Sequence, residues 1–131
     1  MIVLDSSAAL DLLFDREPES TWVREQLDAA RWRVRVPHLI DVEVLRVVRD
    51  RVINGRITPS DGLERIRLMI AFPLWRYPHV NLLERAWELH PHVTAPDAFF
   101  VALAEALGVP LVTTDRRLAR ARGLRIPVIA P

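Results

Sequence analysis

The stretch TAPDAFFVALAEALGVPLVTTDRRLAR, residues 94–120, predicts a helix, a turn, a strand and a further helix in succession. Asp97 stands at the start of the first predicted helix, and Asp115 follows the predicted strand directly. The residues between these two acids are almost all apolar, which is typical of elements buried on several sides. The sequence therefore places two carboxylates at the edges of a buried unit of helix and strand.

The rest of the chain alternates strands and helices in the same way. Residues 1–4 are wholly apolar and end at Asp5, and Arg33–Val36 predicts a second strand. The segment PLWRYP at 73–78 predicts a short edge strand, and Arg125–Ile129 predicts the last one. Strands that alternate with helices indicate an α/β fold with a mostly parallel sheet. Ligands of such sheets bind in the crevice beyond the carboxyl ends of the strands.

Composition limits the class of protein. The chain has 131 residues, of which half are hydrophobic and 27% charged, so we expect one domain over residues 1–131. It has no cysteine, which excludes disulfides and thiolate metal sites. No apolar run reaches the roughly 18 residues that span a bilayer. MIVLD enters a strand pattern without a preceding basic region, so we expect no signal peptide and a cytoplasmic protein.

Four acids stand where a buried site is expected. Asp5 and Asp115 each end a predicted parallel strand, Glu43 lies in the apolar first half of a predicted helix, and Asp97 opens another. Several carboxylates in apolar surroundings would repel one another unless a cation stabilises them. Oxygen ligands without cysteine favour Mg²⁺ or Mn²⁺ over zinc. Such ions activate a water for in-line hydrolysis of phosphodiesters.

Each acid also has an ordinary structural explanation, which the sequence leaves open. Asp97 fits a capping box with Thr94, and Asp5 and Asp115 suit the positive ends of the helices that they precede. Glu43 could pair with an arginine. These explanations do not account for an acid at the end of two parallel strands and another within an apolar helical segment.

Hydroxyl and basic side chains surround these acids in the sequence. Ser7, Thr113 and Thr114 either cap helices or orient a carboxylate of the site. Every basic residue is an arginine, and five arginines follow Asp115 closely. They form either a solvated helix face or contacts to phosphate groups of a ligand next to the metal site; the phosphate contacts are predicted for Arg116, Arg117 and Arg120.

The remaining acids and the aromatic residues receive simpler interpretations. Asp41 lies two residues from Glu43, on a different face of the helix, and is expected to be a solvated or capping acid. Asp11 and Asp15 are expected at the surface. The four tryptophans are interpreted as core residues rather than platforms for stacked bases.

At these residues the sequence resembles the PIN-domain ribonucleases, and specifically the VapC toxins of type II toxin–antitoxin pairs. The segments VLDSSAAL, PHLIDVEVL and PDAFFVALAEALGVPLVTTDRRLAR carry the resemblance, which covers nearly the whole chain. It implies that Asp5, Glu43, Asp97 and Asp115 are the metal-binding, catalytic acids. Ser7 and either Thr113 or Thr114 are the implied hydroxyl helpers.

The resemblance also implies a three-layer α/β/α domain around a five-stranded parallel sheet, a homodimer, and a cognate VapB-type antitoxin. The implied activity is endoribonuclease action that depends on Mg²⁺ or Mn²⁺. Two other functions compete with it. A phosphatase with an aspartyl nucleophile would usually need Asp-x-Asp after the first strand and a lysine, and the chain has neither. A non-catalytic module that binds RNA or a partner on the same fold is the other alternative.

Overall fold

Five short strands form one sheet in the computed structural model, which describes all 131 residues. The strand order is β3-β2-β1-β4-β5, and all neighbouring strands are parallel. The strands are β1 (Ile2–Leu4), β2 (Val34–Pro37), β3 (Leu74–Tyr77), β4 (Leu111–Val112) and β5 (Val128–Ile129). The predicted parallel sheet is therefore confirmed, and PLWRYP supplies its edge strand β3.

Helices cover both faces of this sheet. Val3 and Leu4 on β1 and Leu111 and Val112 on β4 are fully buried, and successive side chains of a strand point to opposite faces. Both faces must therefore be packed against helices, which gives the three-layer α/β/α architecture. The helices are α1 (Ser6–Leu13), α2 (Glu19–Ala29), α3 (Leu39–Ile53), α4 (Pro59–Ala71), α5 (Leu83–Glu88), α6 (Ala95–Leu107) and α7 (Arg116–Ala119), with a 3₁₀ turn at Val80–Leu82. None of them is long and apolar enough to cross a bilayer.

The sheet changes its direction of winding between β1 and β4. From β1 the chain proceeds to β2 and β3 on one side, and then returns to add β4 and β5 on the other. In an open parallel sheet this point leaves a crevice beyond the carboxyl ends of the two strands. Asp5 follows β1 directly and Asp115 lies three residues after β4, so both acids reach this crevice.

Residues 94–120 fold as predicted. Thr94 caps α6, because its Oγ1 accepts a hydrogen bond from the backbone N–H of Asp97 at 3.4 Å. Phe100 and Val101 on α6 are fully buried, and the helix packs on β1 and β2. Gly108 ends the helix with φ +64°, a left-handed conformation that costs glycine little. This rigid unit connects Asp97 to Asp115.

Two expectations about packing are wrong. Trp32, Trp75 and Trp87 have 40%, 62% and 70% of their surface exposed, so most of the tryptophans are not core residues. The first half of α3 is amphipathic rather than buried, since Val42 is 64% exposed. Of the two roles left open for Ser7, helix capping falls to Asp5 instead, which accepts a hydrogen bond from the backbone N–H of Ser7 at 3.4 Å.

Candidate metal centre

One carboxylate oxygen of Asp5 accepts hydrogen bonds from neighbouring side chains, and the other accepts none. The residue is 2% exposed. Its Oδ2 accepts hydrogen bonds from Ser7 Oγ at 2.6 Å and from Thr113 Oγ1 at 2.8 Å. Its Oδ1 is buried and has no hydrogen-bond partner. Because these hydroxyls fix the carboxylate, Oδ1 is a preoriented acceptor without a hydrogen-bond donor in the protein.

The surroundings of Asp5 disfavour its charge. Burial raises the pKa of the Asp5 carboxyl, and the nearby carboxylate of Glu43 raises it further, against the lowering effect of Ser7 and Thr113. Glu43 lies on α3, and its Oε2 is also buried without a hydrogen-bond partner. The expected pairing of Glu43 with an arginine is absent from the structure. Two buried carboxylate oxygens therefore lack partners near the switch point.

Asp97 and Asp115 complete the acidic group from the other side. Burial raises the pKa of Asp97, and the carboxylates of Asp5 and Asp115 raise it too. Asp115 begins α7, and its Oδ1 accepts from the backbone N–H of Arg117 at 2.8 Å. Although burial opposes the effect, this hydrogen bond and the Arg117 guanidinium hold the pKa of Asp115 below its ordinary value. Asp97 and Asp115 face the same cleft.

The residues present fit a divalent cation bound through oxygen atoms. No group of three acidic or histidine side chains is already arranged as a complete set of metal ligands. The two buried oxygens without partners, Asp5 Oδ1 and Glu43 Oε2, are nevertheless what a cation would satisfy. Carboxylate oxygens alone suit Mg²⁺ or Mn²⁺, whereas zinc prefers nitrogen and sulfur ligands.

A cleft of about 360 Å³ opens beside Asp97 and Asp115. Of the arginines predicted to contact phosphates, only Arg117 lines this cleft. Arg116 and Arg120 are exposed and line neither this cleft nor a second one on the other side of Asp115. Proximity to Asp115 in the sequence did not determine which arginine faces the acids. The side chains on and directly after the short helix α7 point in several directions.

Thr113 and Thr114 have different roles. Thr113 Oγ1 donates to Asp5 and accepts from the backbone N–H of Asp115 at 3.0 Å, so it links two of the acids. Thr114 Oγ1 instead donates to Asp11 Oδ2 at 2.6 Å, while the backbone N–H of Thr114 donates to Ser7 Oγ. The hydroxyl beside Asp5 and Asp115 is therefore that of Thr113.

Of two further acids, Asp11 differs from its expected position, whereas Asp41 is exposed as expected. Asp11, expected at the surface, is 9% exposed and ties α1 to the segment that carries Asp115. Its position four residues after Ser7, on the same helix face, was the available signal. Asp41 is paired with Arg76 through two hydrogen bonds of 2.8 and 2.9 Å and stands apart from the metal centre.

The contact between Thr114 and Asp11 leads to a stability prediction. We expect Thr114→Val to lower the free energy of unfolding by about 1–2 kcal/mol, because it leaves a buried carboxylate oxygen without its donor. Urea denaturation measures the change. Thr21→Val is the matched control, since Thr21 Oγ1 donates to Glu17 at 2.9 Å on an exposed surface and should cost less than about 0.5 kcal/mol. Equal losses in both variants would contradict the role given to burial.

Comparison with known proteins identifies the family to which this chain belongs. A family model described as PIN domain matches residues 2–124. Among curated relatives, ribonuclease VapC9 of Mycobacterium tuberculosis is 39% identical over 128 residues, which cover 98% of this chain and 96% of that protein. Ribonuclease VapC12 of the same organism is 38% identical over 123 residues, which cover 94% and 93% of the two chains. This chain therefore belongs to the PIN-domain family and, within it, to the VapC ribonucleases.

Solved structures agree on the fold. DNA-bound VapBC from Salmonella typhimurium superposes with a TM-score of 0.73 at 16% identity and covers 98% of this chain and 96% of that one. VapC20 of Mycobacterium tuberculosis, described as a toxin that cleaves the sarcin–ricin loop, gives a TM-score of 0.70 at 16% identity, with coverage of 95% and 96%. At this identity the likeness concerns the fold.

Proposed function

We propose that this chain is the toxin of a type II toxin–antitoxin pair and hydrolyses RNA phosphodiester bonds. The observation that carries the proposal is the pair of buried carboxylate oxygens without partners, Asp5 Oδ1 and Glu43 Oε2, at the switch point of a VapC-family sheet. We assign the whole chain, residues 1–131, to one PIN-like nuclease domain. We also propose that the chain acts in the cytoplasm, where such an RNA substrate is found.

The side chains of the proposed centre have different roles. Asp5, Glu43, Asp97 and Asp115 would hold Mg²⁺ or Mn²⁺, which when bound supplies an activated water and neutralises charge that develops on the phosphate. Ser7 and Thr113 orient Asp5 through its Oδ2, which leaves Oδ1 free and would allow it to bind the cation. Thr94 holds the start of α6 and thereby the backbone of Asp97. The expected products carry 5′-phosphate and 3′-hydroxyl ends.

A cleavage assay tests this function. Purified protein freed of antitoxin is expected to cleave cellular RNA with Mg²⁺ or Mn²⁺ and to stop when EDTA is added, and sequencing of the ends identifies the products. Asp41→Asn is the matched control, because Asp41 lies near Glu43 in the sequence but pairs with Arg76; it should cleave like the wild type. Cleavage that persists in EDTA would refute the metal mechanism. Metal binding without cleavage of any RNA would support the non-catalytic binding module.

The proposed partner is a VapB-type antitoxin that covers the centre. We expect a short reading frame directly upstream to encode it, and co-expression to abolish cleavage by the purified complex. The homodimer implied by the family resemblance stays a prediction, which light scattering of the purified toxin measures.

A further inference from the structure

A second cleft, of about 370 Å³, lies on the other side of Asp115 from the first. It shares Asp115 with the first cleft and reaches Ser7, whose hydroxyl donates to Asp5. Both clefts therefore border the proposed metal centre at Asp115. The polar lining of the second cleft includes Ser7, Asp11, Arg16, Arg51, Thr114 and Asp115.

Arg51 is the preoriented cation of this second cleft. Its guanidinium carbon lies 3.9 Å from the centroid of the Phe14 ring, a close cation–π contact. The side chain is half-buried, and no carboxylate lies within 4.0 Å of its nitrogen atoms. The Arg51 side chain also makes no hydrogen bond within the protein, unlike several other arginines. Its N–H groups are therefore held in place by the ring and are free to donate to a ligand.

The acids of the second cleft mostly have partners of their own. Asp11 accepts from Thr114 and lies 3.6 Å from Arg16, and Asp115 accepts from Arg117 on the side of the first cleft. Glu19 is the remaining acid on the lining and lies beyond ion-pair distance of Arg51. An anion that enters this cleft therefore meets one unpaired guanidinium, that of Arg51.

We infer that Arg51 binds a backbone phosphate of the RNA strand next to the scissile bond, in the second cleft. This inference rests on the proposed ribonuclease function. A strand whose phosphate reacts between Asp5 and Asp115 must leave the centre through the flanking clefts, and a planar guanidinium matches phosphate oxygens in a bidentate way. Leu10 and Val47 supply the apolar part of the lining, against which a sugar or base packs.

Salt-dependent RNA binding tests the subsite. Binding of a fluorescein-labelled single-stranded RNA is measured by anisotropy in the Asp97→Asn background with Mg²⁺, over a series of salt concentrations. Arg51→Ala is expected to weaken binding roughly tenfold, since it removes a charge-assisted hydrogen bond. It should also reduce the slope of log K against log salt by about 0.7, the value for one phosphate contact on a single strand.

Three variants distinguish the hydrogen bonds of the Arg51 guanidinium from its charge alone and from a general effect on folding. Arg51→Lys keeps the charge, so it should retain the salt slope but lose part of the affinity. Phe14→Leu removes the ring that orients the guanidinium and should weaken binding without changing the slope. Arg56→Ala is the matched control, because Arg56 is exposed, has no ion pair and lines neither cleft; its slope should equal that of the background protein.

Cleavage kinetics with the otherwise wild-type chain provide the second measurement. Arg51→Ala should raise KM roughly tenfold and leave kcat within about twofold, since Arg51 binds away from the reacting atoms.

If the wild type cleaves RNA but Arg51→Ala matches Arg56→Ala in salt slope and KM, the proposed phosphate contact of Arg51 is wrong while the ribonuclease function stands. If Arg51→Ala weakens only the complex with the antitoxin, the cleft belongs to that partner and the inference is also overturned. If no RNA is cleaved by the wild type, the proposed function itself fails.

Discussion

Asp5→Asn is expected to reduce RNA cleavage by at least about 10³-fold and, at the same time, to stabilise the metal-free protein. The loss of activity follows because the substitution removes the charged, preoriented oxygen at the centre of the site. The gain in stability follows because Oδ1 is buried without a partner, and an uncompensated buried charge costs roughly 1–3 kcal/mol or more. Opposite changes in activity and stability distinguish a functional carboxylate from a structural one.

The raised pKa of Asp5 determines how the stability gained in Asp5→Asn should change with pH. Burial and Glu43 raise the pKa of Asp5 above its ordinary value. The folded protein therefore binds the proton more tightly than the unfolded chain, and the associated stability is present at acid pH and lost as the pH rises through the raised pKa. The amide that Asp5→Asn introduces does not titrate, so the advantage of this variant over the wild type should grow between acid and neutral pH.

Chemical denaturation in EDTA at several pH values measures the stability, and a fluorescent RNA measures the activity. Asp41→Asn serves as control, since it removes an exposed carboxylate of the same type that is already paired with Arg76. That variant should remain active and should not become more stable. If Asp5→Asn proves clearly less stable than the wild type without metal, Asp5 serves the fold and the metal centre must be assigned elsewhere.

The second large effect is stabilisation by the cation itself. Mn²⁺ at about 100 times its dissociation constant should add roughly 2.7 kcal/mol to the free energy of unfolding, which raises the Tm of a chain of this length by roughly 8–12 °C. The cation would bind carboxylates that the fold has already buried, so its binding energy appears directly as folding stability. Differential scanning fluorimetry with Mn²⁺, Mg²⁺ and EDTA measures the shift.

This stabilisation should also depend on pH and on the acids. Burial raises the pKa values of Asp5 and Asp97, so protons compete with the cation and the shift in Tm should shrink as the pH falls through these raised values. Asp5→Asn should abolish most of the shift, whereas Asp41→Asn should preserve it. A shift of equal size in Asp5→Asn would mean that the cation binds at another place.

Much of the fold was predictable from the sequence, because its signals are local. The apolar run before Asp5 and the helix–turn–strand pattern of residues 94–120 each predict buried parallel elements, and the carboxyl ends of parallel strands meet at one edge. The proximity of Asp5 to Asp115 follows from this rule alone. The proximity of Glu43 does not, since it depends on how α3 is rotated about its axis, and that rotation exposes Val42.

The sequence could not identify which distant residue contacts Asp11 or Arg51. Asp11 is buried because Thr114, 103 residues away, donates to it. Arg51 stands in the second cleft because Phe14 at the end of α1 provides a ring for its guanidinium. The arginines after Asp115 lie close to it in the sequence, but only Arg117 lines the first cleft, because the direction of each side chain decides which of them faces the acids. Pattern rules describe one element at a time, whereas these features belong to pairs of elements.

The hydrogen bonds between Asp5, Ser7 and Thr113 join positions that are synthesised far apart in time. The first strand and the start of α1 leave the ribosome early, but Thr113, which lies 108 residues after Asp5, follows only when the chain is nearly finished. Until β4 is available, β1 has no neighbour on that side of the sheet. A nascent or prematurely terminated chain that ends before residue 113 cannot orient Asp5 in this way. The hydroxyl that links Asp5 to the segment of Asp115 therefore joins the site only when nearly the whole chain has been synthesised.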